Sequence, residues 1–208
     1  LAGTLARRLQ WSSEEVEAVE LAALIHDIGM VSVPAQILGK VNMLTAEEVK
    51  QIQRHVKTGI GMVEHIDFPG PVTALIAQHH ERIDGSGYPE GLKADQISLF
   101  AKMGAVCDVY DAITSNRPYK AGWDPADSVQ KMAQWAKEGH FDERIFQAFV
   151  KSVGIYPVGT MVMLESGRLG VVIEPHETNL LAPKVNVFFD TKRDTYIKPQ
   201  TVDLSRAL

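Results

Sequence analysis

Residues 78–89 read Gln78-His79-His80-Glu81-Arg82-Ile83-Asp84-Gly85-Ser86-Gly87-Tyr88-Pro89, and the rest of the fold is best read outward from them. The residues before this stretch place Val72, Leu75, Ile76, His79 and His80 on one stripe at i, i+3, i+4, i+7 and i+8, the pattern of a helix facing a core. Both imidazoles therefore point inward. A glycine-rich acidic loop follows at once, which lets backbone come close to a ligand. An imidazole pair at a helix end beside such a loop suggests a metal centre next to an anion pocket. Each feature also has a plainer explanation. One histidine can be a hydrogen-bonded core residue and the other a surface one, and Asp84-Gly85 and Ser86-Gly87 are ordinary turn dipeptides. The deciding question is whether further ligand-type residues fall on inward faces elsewhere.

The bulk properties narrow the classes. A chain of 208 residues, 45% hydrophobic and with net charge −5, suits one sizeable domain with a small appendage. An isoelectric point near 5.8 and the lack of a long Lys/Arg block argue against a nucleic-acid polymer as partner, so an anionic substrate has to be held by local charge such as metal ions. The single cysteine, Cys107, excludes an internal disulfide, fits a reducing cytoplasm, and reads as a small buried hydrophobe. No apolar run reaches membrane-spanning length, and no secretory signal is visible. Leu1, Leu5 and Leu9 read as the end of a helix that begins upstream, so we expect a fragment lacking an N-terminal regulatory region.

Ser12 and Glu15 form a capping box, and the helix they open carries Val16, Val19, Ala23, His26 and Asp27 on one face. Gly29 is a stop signal, and 31–40 is expected to be a connecting loop. Thr45 and Glu48 form a second capping box, opening a helix that aligns Ile52, His55, Gly59 and Met62. Gly59 and Gly61 weaken that helix unless a neighbour packs closely on it, so a tight crossing is expected there. Residues 98–115 form a helix whose small-residue face holds Ala101, Ala105, Asp108, Asp111 and Ala112, and the polar loop that follows carries Arg117 and Lys120. Asp124 and Asp142 cap the last two helices, the second ending at Gly154. From Ile155 the text turns β-like, with strands expected at 160–164, 169–173 and 184–189 and a turn at Ser166-Gly167. Domains are thus expected at 1–154 and 155–208, the β part packing on the helices as an edge or clamp.

Collected from four inward faces, His26, Asp27, His55, His79, His80 and Asp108 exceed what one structural zinc needs. The absence of thiolates argues for iron, manganese or a similar ion tolerant of octahedral geometry. Asp27, next to His26, can bridge two ions, and ions about 3.5–4 Å apart suit phosphoester hydrolysis because they lower the pKa of water to about 7 and neutralise transition-state charge. Six such groups placed on core faces by chance is a poor explanation, since unpartnered buried charge is strongly unfavourable.

These residues resemble the HD-GYP family of bacterial cyclic-di-GMP phosphodiesterases, a branch of the HD metal-dependent phosphohydrolases. The matching text is His26-Asp27-Ile28-Gly29, His55, His79-His80-Glu81-Arg82, Asp84-Gly85-Ser86-Gly87-Tyr88-Pro89, Asp108-Val109-Tyr110-Asp111-Ala112 and Arg117-Pro118-Tyr119, over roughly the first three quarters of the chain. An HD pair alone is a weak signal, whereas the ordered series is specific. The resemblance implies a mainly α, HD-type helical bundle, here with a small C-terminal β subdomain. It also implies a centre of two or three divalent ions and cleavage of cyclic-di-GMP to pGpG, and on to GMP. Carried over by position, His26, Asp27, His55, His79, His80 and Asp108 are the expected ligands, with Asp27 bridging and catalytic. Arg117 and Lys120 are expected on substrate phosphate, Tyr88 on the guanine side of the pocket, and Asp111 behind a ligand histidine as an acceptor. The loop at Gly87-Tyr88-Pro89 is an expected docking point for signalling proteins, and a homodimer is expected.

The sequence departs from the family pattern at Met30, where a lysine usually follows Ile-Gly. Losing a cation aimed at phosphate costs about 10²–10³ in rate by analogy with losing one transition-state hydrogen-bond donor. This keeps open a second reading, a catalytically impaired cyclic-di-GMP receptor. Upstream ligands of the family pattern would fall before Leu1. Lys40 is read as a solvent-facing loop charge.

Overall fold

In the computed structural model, residues 1–116, 121–176 and 179–206 are described. The helical part runs α1 (Ala2–Arg8), α2 (Ser13–Ile25), α3 (Ala35–Leu38), α4 (Ala46–Gln53), α5 (His55–Val63), α6 (Gly70–Gln78), α7 (Leu99–Thr114), α8 (Pro125–Lys137) and α9 (Glu143–Val153). A four-stranded sheet follows: β1 (Met161–Met163), β2 (Arg168–Glu174), β3 (Lys184–Asp190) and β4 (Thr195–Asp203). The class is mainly α with a small antiparallel β unit.

The helices start where the sequence supplies acceptors for their free N–H groups. Ser12 and Thr45 accept from Glu15 N and Glu48 N within complete capping boxes, and Asp124 and Asp142 accept from the first turns of α8 and α9. One core joins α1, α2, α6, α7, α8 and α9 through Leu5, Val19, Leu75, Ile76, Met103, Met132 and Phe149. Cys107 lies in this core, and burial raises its thiol pKa to about 12.

Three helices end or break at a histidine, and the cause is common to all three. The imidazole Nδ1 of His26 bonds the carbonyl of Ala23 (2.9 Å), that of His55 the carbonyl of Ile52 (2.7 Å), and that of His79 the carbonyl of Ile76 (3.0 Å). In each case the side chain engages the i−3 carbonyl, which an uninterrupted helix would offer to the residue after the histidine. This divides the single helix expected from Thr45 through Met62 into α4 and α5, with the break at Arg54.

Gly29 is not the helix stop that the sequence suggested. α2 has already ended at Ile25, and Gly29 lies buried in a 3-10 turn (Ile28–Ser32), where a Cβ would overlap His55 O and come within 2.6 Å of Gly59 N. The close crossing expected at the α5 glycines is therefore with this turn and involves Gly59, while Gly61 faces open space. The expected loop at 31–40 contains the end of that turn and α3. Lys40 is not a free loop charge either: its Nζ lies 2.6 Å from the Glu48 carboxylate, tying the segment to the start of α4.

The sheet order is β1-β2-β3-β4, all antiparallel, with Gly167 at φ +82° in the first turn. β4 was not anticipated, because Lys198, Pro199 and Gln200 hide its pattern. It is an edge strand, and its register slips opposite Val187–Phe189, where proline without an N–H is tolerated. The β unit has an apolar cluster of its own. Val172, Val185 and Val187 close a small cluster of their own with Tyr156, Val162, Leu164, Ile197, Val202 and Leu204, separate from the helical core. An open groove of about 720 Å³ lies between α8, α9 and the connecting Ile155 and Tyr156.

Candidate metal centre

The ends of α2, α5 and α6 and the middle of α7 bring the six sequence-selected residues together. Asp27 is the hub. Its Oδ1 lies 3.1 Å from His55 Nε2 and 3.5 Å from His79 Nε2, and its Oδ2 lies 3.5 Å from His26 Nε2. On the other side Asp108 reaches His26 Nε2 at 3.7 Å and His80 Nδ1 at 3.8 Å. Two overlapping groups result, Asp27 with His55, His79 and His80, and His26 with Asp27 and Asp108, the ligand-type atoms of each lying within 4.8 Å of one another.

The hydrogen bonds at the helix ends fix what these atoms offer. A carbonyl accepts only from an N–H, so Nδ1 carries the proton in His26, His55 and His79, and Nε2 of a neutral ring presents a lone pair to the centre. Facing those lone pairs are carboxylate oxygens, which also only accept. An arrangement of acceptors converging on acceptors is stabilised by a cation or by protons. His26 Nε2 is buried and, among the described residues, has no hydrogen-bond partner. The donor set therefore fits a divalent ion with nitrogen and oxygen preference.

The protonation equilibria reflect the same crowding. Partial burial opposes the charge on Asp27, but in the metal-free chain the His55, His79 and His26 rings, when they take up a second proton, outweigh it and hold the carboxyl far below the usual carboxylate range. Burial likewise opposes charge on His26 and His55, yet the nearby carboxylates, Asp108 and Asp27 for His26 and Asp27 for His55, leave both rings with raised pKa values. For His80, burial and the neighbouring His79 win, taking it down to about 3. Asp108 is held low because the nearby His26 and His80 rings outweigh its burial. The Tyr88 hydroxyl is pushed up by burial and by Asp108 and Asp27, so it remains a donor.

Tyr88 sits at the centre's edge, its ring stacked on His80 with centroids 4.6 Å apart and planes at 25°. Asp111 does not join the cluster as expected. It is exposed on the wall of a cavity of about 300 Å³ beside His26 and Asp108, and among the described residues its carboxylate bonds no imidazole. For His26, the ligand-type ring on the same cavity, the Nδ1 that it would steady is already held by the Ala23 carbonyl. Arg117 and Lys120 lie outside the described residues. One residue that sequence reasoning quoted without a role is Glu81, which is buried with its carboxylate on the main chain of the following loop. No local signal marks it, because its partners are the amides of Glu90 and Leu92 nine and eleven residues further on.

An HD-type helical fold carrying an oxygen- and nitrogen-only cluster defines the class, and comparison with known proteins agrees. A model of the family described as HD domain matches residues 1–145. The cyclic di-GMP phosphodiesterase PA4108 of Pseudomonas aeruginosa is 52% identical over 204 residues, covering 98% of this chain and 49% of that protein. The 3'3'-cGAMP-specific phosphodiesterase 1 of Vibrio cholerae is 33% identical over 148 residues, covering 71% of this chain and 34% of that protein. Among solved structures, Bd1817, an HDG"Y"P protein from Bdellovibrio bacteriovorus, matches the fold with a TM-score of 0.57 at 22% identity, over 70% of this chain and 46% of that one. The chain belongs to the HD domain family, and its ordered HD, HHE and GYP signature places it in the HD-GYP branch. It spans about half the length, or less, of the relatives it matches. HD-domain phosphohydrolases use divalent metals, and the His/Asp cluster could hold them.

Proposed function

We propose that the chain is the metal-dependent phosphodiesterase part of a bacterial signalling protein, hydrolysing cyclic-di-GMP to pGpG, with GMP as the further product to be looked for. The observation that carries this reading is the convergence of acceptor atoms around Asp27, with His26 Nε2 buried and, among the described residues, unpartnered. The phosphodiesterase names of the relatives support the reaction class, and the 52% identity to a cyclic di-GMP phosphodiesterase supports the substrate.

Two ions are proposed, iron or manganese, with His55, His79 and His80 on one side of a bridging Asp27, and His26 and Asp108 on the other. Bound there, such ions activate a water and neutralise phosphate charge. The chain's own residues set the stage. Asp27 stays anionic, and the helix-end carbonyls keep three imidazoles in the tautomer that aims Nε2 inward. His55 and His79 seal the back of the site, while His26, Asp108, His80 and Asp27 form a partly exposed rim that a phosphodiester can reach. Tyr88 offers an aromatic edge and a protonated hydroxyl to a guanine base. Arg117 and Lys120 are proposed phosphate contacts on the strength of the family pattern.

Residues 1–154 are proposed as the catalytic unit and 155–208 as a separate β unit, in a cytoplasmic protein with an N-terminal regulatory region. Signalling partners at the GYP loop and a homodimer belong to the same proposal. Incubating the protein with cyclic-di-GMP and Fe(II) or Mn(II), with 3'3'-cGAMP as competitor, tests the reading. Linear dinucleotide is the expected product, and none with either metal contradicts it. Met30 supports a second reading as a receptor, favoured by tight binding without turnover and by turnover gained in Met30→Lys.

A further inference from the structure

The loop that follows His80 hangs on a carboxylate that the proposed reaction does not use. Glu81 is only 2% exposed, and its two oxygens accept separate main-chain N–H groups, Oε1 from Glu90 at 2.8 Å and Oε2 from Leu92 at 2.9 Å. A buried carboxylate is costly unless hydrogen-bonded, and charge-assisted bonds of this kind are the stronger ones. Two further contacts fold the loop back on the helix end. Tyr88 N donates to His80 O at 3.2 Å, and Gly87 approaches so closely that a Cβ there would lie 2.5 Å from Glu81 Cα and 2.6 Å from His80 O. The result is the Tyr88 ring laid flat on His80.

His80 needs that contact more than its neighbours do. His26, His55 and His79 are each locked by a main-chain carbonyl, whereas among the described residues no carbonyl accepts from the His80 ring. Apart from Asp108 Oδ2 at 3.8 Å from its Nδ1, it is held by ring packing, between His79 at 4.0 Å and Tyr88 at 4.6 Å, with the edge of His55 at 5.1 Å.

We infer that Glu81 is a positioning residue that clamps the 84–93 loop by its two amide bonds and, through Tyr88, sets the orientation of the His80 ring in the metal centre. The inference rests on the proposed metal-binding reading for its affinity readout and on nothing about the nucleotide.

The test uses Glu81→Gln and Tyr88→Ala, singly and together. Amide hydrogen exchange is followed on the metal-free chain, and Mn(II) affinity is measured by titration. Glu81→Gln keeps the size but turns one acceptor into a donor facing an N–H. It is expected to speed exchange at Glu90 and Leu92 by about tenfold or more, with the amides of Met103 and Val106 in α7 unchanged. Mn(II) affinity should fall by about 10–100-fold, the usual cost of disturbing a group that orients a ligand. Tyr88→Ala should lower affinity by a similar factor without exposing the Leu92 amide, and the double variant should bind no more weakly than the worse single one. The inference is overturned by exchange that rises equally in α7, by additive losses, or by unchanged Mn(II) affinity in Tyr88→Ala, which does not depend on Glu81→Gln folding well. Neither readout involves cyclic-di-GMP, so absence of turnover would count against the proposed function and leave this inference standing.

Discussion

The two sides of the centre are built differently. His55 and His79 lie 1% and 0% exposed in side chain, inside the layer that also buries Ile76 and Val56, whereas His26, His80 and Asp108 are each roughly a fifth exposed and Asp27 nearly half. The inner pair belongs to the core as much as to the site, so its geometry is fixed by packing as well as by the carbonyls of Ile52 and Ile76. The outer group is held by hydrogen bonds, ring contacts and the neighbouring loop, and it is the side open to solvent. Stability and chemistry should therefore separate between the two sides on mutation.

Asp27 touches both sides, and its removal should have the largest effect. Asp27→Ala is expected to lose metal and to lower turnover by about 10³-fold, judged from the cost of losing one electrostatic contact to a transition state, with metal analysis and product chromatography as the checks. Full metal content and rate in this variant would remove the bridging role.

The contrast itself is sharpened by His79→Ala against His26→Ala. Both should weaken metal binding, but only His79→Ala should cost roughly 2–4 kcal/mol in urea unfolding, because it empties a buried site, while His26→Ala should cost under about 1 kcal/mol. Equal destabilisation would erase the distinction between the two sides. Gly29→Ala tests the seam between them. Its Cβ would overlap His55 O, so a loss of about 1–3 kcal/mol is expected from overpacking, with weaker metal binding because His55 shifts.

The pH response gives a subtler comparison. Raised pKa values of His26 and His55 contribute stability to the metal-free chain that is full below 6.5, their ordinary value, and is lost as pH rises through the folded values. Depressed values of Asp27 and Asp108 contribute stability above 3.8 that is lost as pH falls through their folded values. Melting temperatures of the metal-free chain should therefore decline above neutral pH. Those of the Mn(II)-loaded chain should rise from pH 5 to 8, since protons compete with metal for the imidazoles. Parallel profiles would contradict the assignment. The smallest effect is expected for Asp111→Asn, whose carboxylate reaches no imidazole, with Mn(II) affinity unchanged by titration.

Much of this site was legible in the sequence because its residues obey two rules at once. His55 and Asp108 fall on a helix face, and His26, Asp27, His79 and His80 continue the apolar stripe of a helix just past its end, and each belongs to a side-chain type that buries poorly without a partner. Capping boxes and turn glycines likewise announce themselves locally. What stayed hidden is set by contacts between distant segments. The carbonyl capture that breaks the helix at Arg54 depends on an inward rotamer of His55, which no periodicity encodes. The role of Gly29 depends on Gly59 thirty residues away, and a glycine after a helical pattern looks the same whether it caps a helix or admits a neighbour. Glu81 reads as a surface charge until the loop amides of Glu90 and Leu92 are placed on it. β4 was obscured by Pro199, whose tolerance comes from its place at the sheet edge.

The central claim is that Asp27 joins two cations held by these side chains. Diffraction from crystals of the protein grown with Mn(II), collected at the manganese absorption edge, tests it most directly. The account predicts two anomalous peaks about 3.5–4 Å apart, one toward His55, His79 and His80 and the other toward His26 and Asp108. A single peak away from Asp27, or none within reach of these residues, would contradict it.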